Sequence, residues 1–390
     1  MLTLLSLDWE VIKTTLRKFC CFVVPFFPFL IALFITALIH RDSTNLFFFN
    51  FRSLASIIIF SGVTFALLSA YRPFPSEALF WSCSIGILVT LLILLYTGFQ
   101  HSANLTDLRT FVSPAATTYS RCTALLAGIV FIGAFLSGLT LRTRCIFLSC
   151  GITGFIVSIV LLQTRSVLPT VFLAVLCALV ILFKSTVNSK KKVFVTLCLA
   201  TLPVLIVFCI SDRMSVGERE VSKSGSLDSI VSILEKHEND IELEGKEKET
   251  LTTLNSSMGG RMAAWAIAKR EITKHPFVGT GAGELGLFLN TKKVFSSSGN
   301  YVVHFHSDYV QCAVVGGILL LTGLLGTIFL LFWKARSNPI LLFLISSMAI
   351  FSVVELAFCD KQTFQMFVTS WVLISLLPQT NFNKNLSRQR

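Results

Sequence analysis

The chain has 390 residues, of which 54% are hydrophobic, only 14% are charged and 36 are phenylalanine. This composition excludes a soluble domain of this length, because too many large apolar side chains would remain in water. The net charge of +12 does not indicate nucleic acid binding, since residues 212–293 are nearly balanced and the basic excess lies mostly in short loops between apolar segments. We therefore predict a polytopic membrane protein.

Apolar segments of about 17 to 21 residues recur along the chain, as helices crossing roughly 30 Å of hydrocarbon require. We predict an all-α integral membrane protein with ten to twelve transmembrane helices. Ten segments are identified, near 19–39, 54–70, 79–99, 122–141, 145–162, 167–183, 193–211, 310–333, 339–358 and 363–378. The eleven cysteines lie almost wholly within or beside these segments and predict neither a disulfide framework nor a zinc site.

Basic residues fix the orientation of the spans. With the N-terminus in the cytoplasm, the basic clusters between spans all fall on the inner side. We expect three regions: a bundle of about seven helices at 1–211, a large outer loop with short helices at 212–306, and about three helices with a cytoplasmic tail at 307–390. The outer face then also receives a short hairpin containing Arg165.

The large loop divides into two parts. Its first half contains an amphipathic pattern beginning at Leu227, which predicts a helix lying on the membrane or on the core, followed by a charge-dense stretch typical of a solvated segment. Its second half predicts a helix from Met258 to Lys274 that ends before Pro276. Arg261 and Trp265 are four residues apart and share one face of that helix.

Arginine near a helix N-terminus is unfavourable for the helix dipole, so we expect an anion to compensate Arg261. Arg165, in its short hairpin between apolar segments, must either reach the interface or meet an anion. The topology brings Arg165, Arg261 and His306 to the same membrane face.

A glycine-rich turn follows the predicted helix, and Gly281, Gly283 and Gly286 spell GxGxxG. A dinucleotide site would need a preceding β-strand, which an all-helical chain does not supply, so a helix-to-loop reversal is favoured. The amides of a tight turn can contact phosphate, which makes Gly281 a candidate for substrate binding.

The segment from Val303 to Tyr309 carries two histidines just before an apolar helix. His304 and His306 have the spacing of metal ligands, but Asp308 is their one nearby partner, so no metal site is predicted. Ser307 is expected to cap the helix, with Asp308 in its first turn. His306 precedes the cap and is better placed to act on a ligand, where a histidine can accept a proton.

Three segments in this order resemble the O-antigen ligase family, which shares its broad pattern with the O-antigen polymerases. They are LLQTRSVLPTVF around Arg165, GGRMAAWAIAKREITKHPFVGTGAG around Arg261 and VVHFHSDYVQCAVVGGILLL around His306. The resemblance covers roughly residues 161–334. The sequence departs from the family pattern at Leu320, where a glycine is usual.

The resemblance implies a glycosyltransferase of lipopolysaccharide biosynthesis in the inner membrane of a Gram-negative bacterium, with its active site facing the periplasm. Its donor would be a glycan on undecaprenyl diphosphate, its acceptor the lipid A-core, and its surroundings the membrane lipids. Arg165 and Arg261 are suited to stabilise the charge developing on the diphosphate, and His306 is suited to accept the hydroxyl proton as general base. Trp265 is a candidate to stack on a sugar, although packing beneath the arginine is the favoured interpretation. Other candidates to orient His306 or to bind the acceptor are His304, Asp308 and Tyr309. No cofactor or metal is expected.

Three alternatives remain open. An O-antigen polymerase uses the same donor with another acceptor, and the sequence separates the two poorly. A lipid or glycan transporter is a different class, but internal repeats and ionisable residues near the bilayer midplane, which are typical of transporters, are not evident. A sensory protein with an ectodomain would need a separate core, for which the first half of the large loop is too charged.

Overall fold

The computed structural model describes residues 9–40, 44–71, 76–100, 116–136, 139–162, 164–184, 226–238, 257–281 and 305–377. These residues form helices and turns, with no β-strand among them. Twelve α-helices are named here in chain order. They are α1 (Trp9–Val23), α2 (Phe27–Ile39), α3 (Thr44–Tyr71), α4 (Ser76–Gln100), α5 (Ala116–Gly133), α6 (Leu141–Ile156), α7 (Leu168–Lys184), α8 (Leu227–Glu238), α9 (Ser257–Lys274), α10 (Asp308–Ala335), α11 (Pro339–Val354) and α12 (Lys361–Ser375).

Several of the described helices are long and apolar enough to cross a membrane. Five candidate spans of 18 residues or more are Ile12–Ile39, Glu77–Gln100, Ala116–Gly133, Leu141–Leu161 and Asp308–Ala335. Three shorter apolar stretches lie within α3, α7 and α11. They are Ser53–Ser69, Leu168–Phe183 and Pro339–Val354. These findings confirm the predicted helical membrane protein, whereas the number of ten spans and the three-region division stay predictions. The predicted span 193–211 lies outside the described residues.

Small residues bring α2 and α10 into close contact. A Cβ atom added at Gly323 would lie 2.5 Å from the Cβ of Ala32 and 2.7 Å from the carbonyl oxygen of Pro28. The backbone N–H of Phe29, one of the first-turn donors without a partner inside its own helix, donates to the Thr327 hydroxyl at 3.1 Å. The first apolar segment is thereby fixed against the helix that begins just after His306.

The amphipathic segment of the large loop forms α8, as its pattern predicts. Ile230 and Ile233 on one face are buried, and α8 packs against α9. At the edge of this contact, the Asp228 carboxylate pairs with Lys269 at 2.5 Å. The helix therefore lies on α9, which ends at Lys274 before Pro276 as predicted.

Helix α10 is interrupted at Gly317, whose φ of 61° and ψ of −153° break the helical path. The interruption leaves backbone groups of the neighbouring turns without helical partners. The turn after α9 supplies the missing partners. Ile318 N–H donates to Pro276 O at 2.8 Å. In the other direction, Thr280 N–H donates to Val314 O at 2.8 Å and Gly281 N–H donates to Val315 O at 2.9 Å.

The glycine turn is thus more than the predicted reversal of the chain, because it inserts into the break in α10. Gly279 has φ of 69°, and an added Cβ would lie 2.4 Å from backbone atoms of Val314 and Val315. An added Cβ at Gly317 would lie 2.4 Å from the carbonyl carbon of Phe277. Both positions require glycine for conformation and for space.

We predict that Gly317→Ala destabilises the folded protein by at least about 2 kcal/mol, since it adds a strained φ and a clash with backbone atoms. Gly326→Ala on the same helix is the control: its added Cβ lies no closer than 3.3 Å to the Pro28 side chain. Thermal unfolding of the detergent-solubilised protein measures the difference. Equal unfolding temperatures for the two variants would contradict this account of the break.

Candidate active site

His306 lies in a short connection held on both sides. Its φ of 52° is in the left-handed region, where residues other than glycine are uncommon. Before it, the Phe305 carbonyl accepts a hydrogen bond from Trp265 Nε1 at 2.8 Å. After it, the Ser307 hydroxyl accepts from Val310 N–H at 3.4 Å and donates to Ser352 O at 3.0 Å. The predicted cap at Ser307 is confirmed.

Glu355 joins His306 to Arg261. Helix α11 ends at Val354, and Glu355 lies just beyond it, 7% exposed. One carboxylate oxygen is 2.6 Å from Arg261 Nη2, and the other is 3.8 Å from His306 Nδ1. A single buried acid therefore faces the two candidates that the sequence placed on the same side of the membrane.

The electrostatics of this cluster favour an ionised Glu355. Burial alone raises the pKa of the Glu355 carboxyl, but the His306 ring and the positive charges of Arg261 and Arg121 act in the opposite direction. These interactions outweigh the burial, and the pKa lies below its ordinary value. The anion that the sequence analysis expected beside Arg261 is therefore supplied by the protein itself.

Asp308 and Tyr309 make internal contacts. The Asp308 carboxylate is fully buried and accepts hydrogen bonds from Ser352 Oγ and from three backbone N–H groups at residues 357–359, at 2.7 to 3.0 Å. The Tyr309 hydroxyl donates to Ala349 O at 3.0 Å. In these contacts both side chains connect α10 to α11 and the loop that follows it. Their roles in binding acceptor or orienting His306 stay predictions.

The remaining candidates are described only in part. Arg165 begins a 3₁₀ turn, Arg165–Val167, that leads into α7, but its side chain is not among those described. His304, Gly283 and Gly286 lie outside the described residues. The Gly281 N–H donates to Val315 O, so the backbone amide proposed for a phosphate is already used within the protein.

Residues 150–325 match a family model described as O-Antigen ligase. Over these residues, the chain is similar to the O-antigen ligase family. No curated protein matches the chain. The matched range contains Arg165, Arg261 and His306, which agrees with the resemblance stated from their flanking segments, and it ends before Glu355.

Glu355 was missed as a site residue by sequence reasoning. It lies 94 residues from Arg261 along the chain and outside the matched range, so neither local spacing nor the family pattern connects the two. One signal was available: an acidic residue near the outer end of an otherwise apolar segment is costly in a membrane and needs a partner. Only the packing of α9, α10 and α11 identifies that partner.

The described part of the chain contains no candidate metal cluster. No group of three or more His, Cys, Asp and Glu side chains that could hold a metal ion occurs there. His304, which completes the His-x-His pattern, is outside the described ranges. The metal-free site therefore stays a prediction.

Trp265 connects α9 to the residue before His306. We predict that Trp265→Phe, which keeps an aromatic ring but removes the N–H donor to Phe305 O, lowers the free energy of unfolding by about 1 kcal/mol. Trp333→Phe at the far end of α10, where the ring is 60% exposed, is the control. If chemical denaturation shows no greater loss for Trp265→Phe than for Trp333→Phe, the hydrogen bond does not hold this connection.

Proposed function

We propose that this chain is an O-antigen ligase that transfers a glycan from undecaprenyl diphosphate to a sugar hydroxyl of lipid A-core. The reaction would occur at the periplasmic face of the inner membrane of a Gram-negative bacterium. The observation that supports it most is the Glu355 carboxylate between Arg261 and His306. It joins a cation suited to phosphate and a base suited to a hydroxyl in one cluster.

His306 is the proposed general base. Glu355 faces Nδ1, which favours the tautomer with its proton on that nitrogen and leaves the Nε2 lone pair for the acceptor. In the transfer, the acceptor oxygen bonds to the anomeric carbon of the donor while its proton passes to Nε2. The imidazolium that forms is stabilised by the adjacent carboxylate.

Arg261 is the proposed partner of the leaving group. As the bond between the anomeric carbon and the diphosphate oxygen breaks, negative charge grows on undecaprenyl diphosphate. The guanidinium has five N–H donors, and Glu355 accepts from one nitrogen, so others can face phosphate oxygens. Arg261 is 21% exposed, which leaves it accessible. Arg165, on the same predicted face, is proposed as the second cation.

The donor is proposed to enter from the bilayer, since its prenyl chain is a lipid, and the acceptor from the outer leaflet of the inner membrane. Because a diphosphate is already a good leaving group, this chemistry needs no strong acid. Charge stabilisation by arginine supports the proposal that no metal or cofactor is needed.

We predict that His306→Ala lowers the turnover of glycan transfer about 10²- to 10⁴-fold, as expected for loss of general-base catalysis. The reaction to measure is transfer from purified lipid-linked glycan to lipid A-core. His275→Ala, at an exposed histidine just after α9, is the matched control and should keep wild-type turnover. Wild-type turnover of His306→Ala at equal protein abundance would show that His306 is not the base.

Lipopolysaccharide electrophoresis of a deletion strain separates ligase from polymerase. We predict free lipid A-core together with accumulated lipid-linked polymer, because the polymer is built but not transferred. Core bearing a single repeat would instead identify a polymerase, which uses the same donor with a different acceptor. A wild-type ladder would contradict both functions. Complementation with the intact gene controls for effects on neighbouring genes.

A further inference from the structure

Glu355 begins a six-residue connection between α11 and α12, residues 355–360, here called the 355–360 loop. A loop beside a membrane bundle has backbone groups that need hydrogen-bond partners, since few can be left without them. In this loop, four of these backbone groups bond to two charged side chains from other helices. These contacts determine where the loop, and with it Glu355, lies.

Asp308, at the start of α10, holds the loop from one side. Oδ2 accepts from Ala357 N–H at 2.7 Å and from Phe358 N–H at 2.8 Å, and Oδ1 accepts from Cys359 N–H at 3.0 Å. Ser352 Oγ adds a fourth hydrogen bond to Oδ2 at 2.7 Å. Three consecutive amides are therefore bound to the carboxylate two residues after His306.

Arg121, on α5, holds the loop through different groups. Its guanidinium donates to the Leu356 carbonyl, and Nη2 lies 3.3 Å from Asp360 Oδ2. Asp360 in turn caps α12 by accepting from Thr363 N–H at 3.2 Å. The Arg121 side chain is 4% exposed, so these groups hold it inside the bundle.

We propose that Asp308 and Arg121 are positioning residues that hold the 355–360 loop and thereby set Glu355 between Arg261 and His306. The inference rests on the proposed role of His306 as base. It assigns these two side chains an effect on the site through Glu355, without contact to substrate.

The chemistry at position 308 is specific to a carboxylate. Both oxygens accept backbone N–H groups, and asparagine would replace one of them with an NH₂ group that faces donors. Asp308→Asn keeps the size of the side chain but loses at least one of these hydrogen bonds. The expected consequence is a shift of the 355–360 loop and of Glu355.

The test measures His306 directly. Diethylpyrocarbonate modifies neutral imidazole, so the rate at which the His306 peptide is modified, followed by mass spectrometry across pH, gives the titration midpoint of that ring. Among the described residues, the charged or titratable groups around the site are Arg261, Arg121, Glu355, Asp308, Asp360, Tyr309, Cys312 and Cys359. Removing a negative charge from beside the ring disfavours imidazolium, so the midpoint measured for a variant should fall when Glu355 is displaced.

Glu355→Gln sets the reference for the size of this fall. Asp308→Asn and Arg121→Lys, which keeps the positive charge but loses the guanidinium contacts to Leu356 and Asp360, should move the midpoint in the same direction. Asp228→Asn, which removes an exposed carboxylate paired with Lys269, should leave it unchanged. Ser352→Ala removes one hydrogen bond to Asp308 and gives a milder test if Asp308→Asn does not fold. It should lower the midpoint by less.

The outcomes separate the inference from the proposed function. A lower midpoint in Glu355→Gln with wild-type midpoints in Asp308→Asn and Arg121→Lys overturns the positioning roles. Wild-type midpoints in all of these variants overturn the coupling between Glu355 and His306 as well. Lower midpoints together with full transfer activity in His306→Ala would support the positioning roles and overturn the role of His306 as base.

Discussion

A buried carboxylate beside a membrane bundle is costly unless its charge is compensated, and the candidate site depends on how Glu355 meets that constraint. Arg261 lies 2.6 Å from one oxygen and His306 Nδ1 lies 3.8 Å from the other. Removing one partner of a buried pair typically costs about 3 to 5 kcal/mol, because the remaining charge is left uncompensated. Glu355 therefore links α9, the helix that carries Arg261, to the connection that carries His306.

The rest of the described structure supports this contact by fixing the elements that carry it. The turn after α9 inserts into the break of α10 at Gly317, which ties the far end of the Arg261 helix to the helix after His306. At the near end, Trp265 donates to Phe305 O. These contacts hold His306 in a left-handed conformation that surrounding structure must impose.

Periodicity and capping chemistry predicted the local elements well. The helix around Arg261, its end before Pro276 and the cap at Ser307 all follow from short-range rules, and the structure contains them. The amphipathic helix at α8 is also present, because one apolar face requires a partner surface. These features depend on neighbours within one or two helical turns.

The long-range features were not predictable in this way. The glycine turn gave only a weak motif. Its contacts could not be predicted from that motif, because its amides bond to carbonyls of α10 more than thirty residues later. Glu355 carried a signal as an acid near the end of an apolar segment, but its partners are set by the packing of helices distant in sequence. Asp308 was predicted only as an acidic residue in the first turn of a helix. Its hydrogen bonds to the 355–360 loop could not be predicted, because the fold brings that loop to it.

The most direct test of the central claim is an electron cryo-microscopy structure in lipid nanodiscs with a non-transferable prenyl-diphosphate glycan. The account predicts diphosphate density within hydrogen-bond distance of the Arg261 guanidinium, with the Glu355 carboxylate facing both Arg261 and His306. Density for the diphosphate at another site, or a Glu355 side chain that contacts neither Arg261 nor His306, would contradict it.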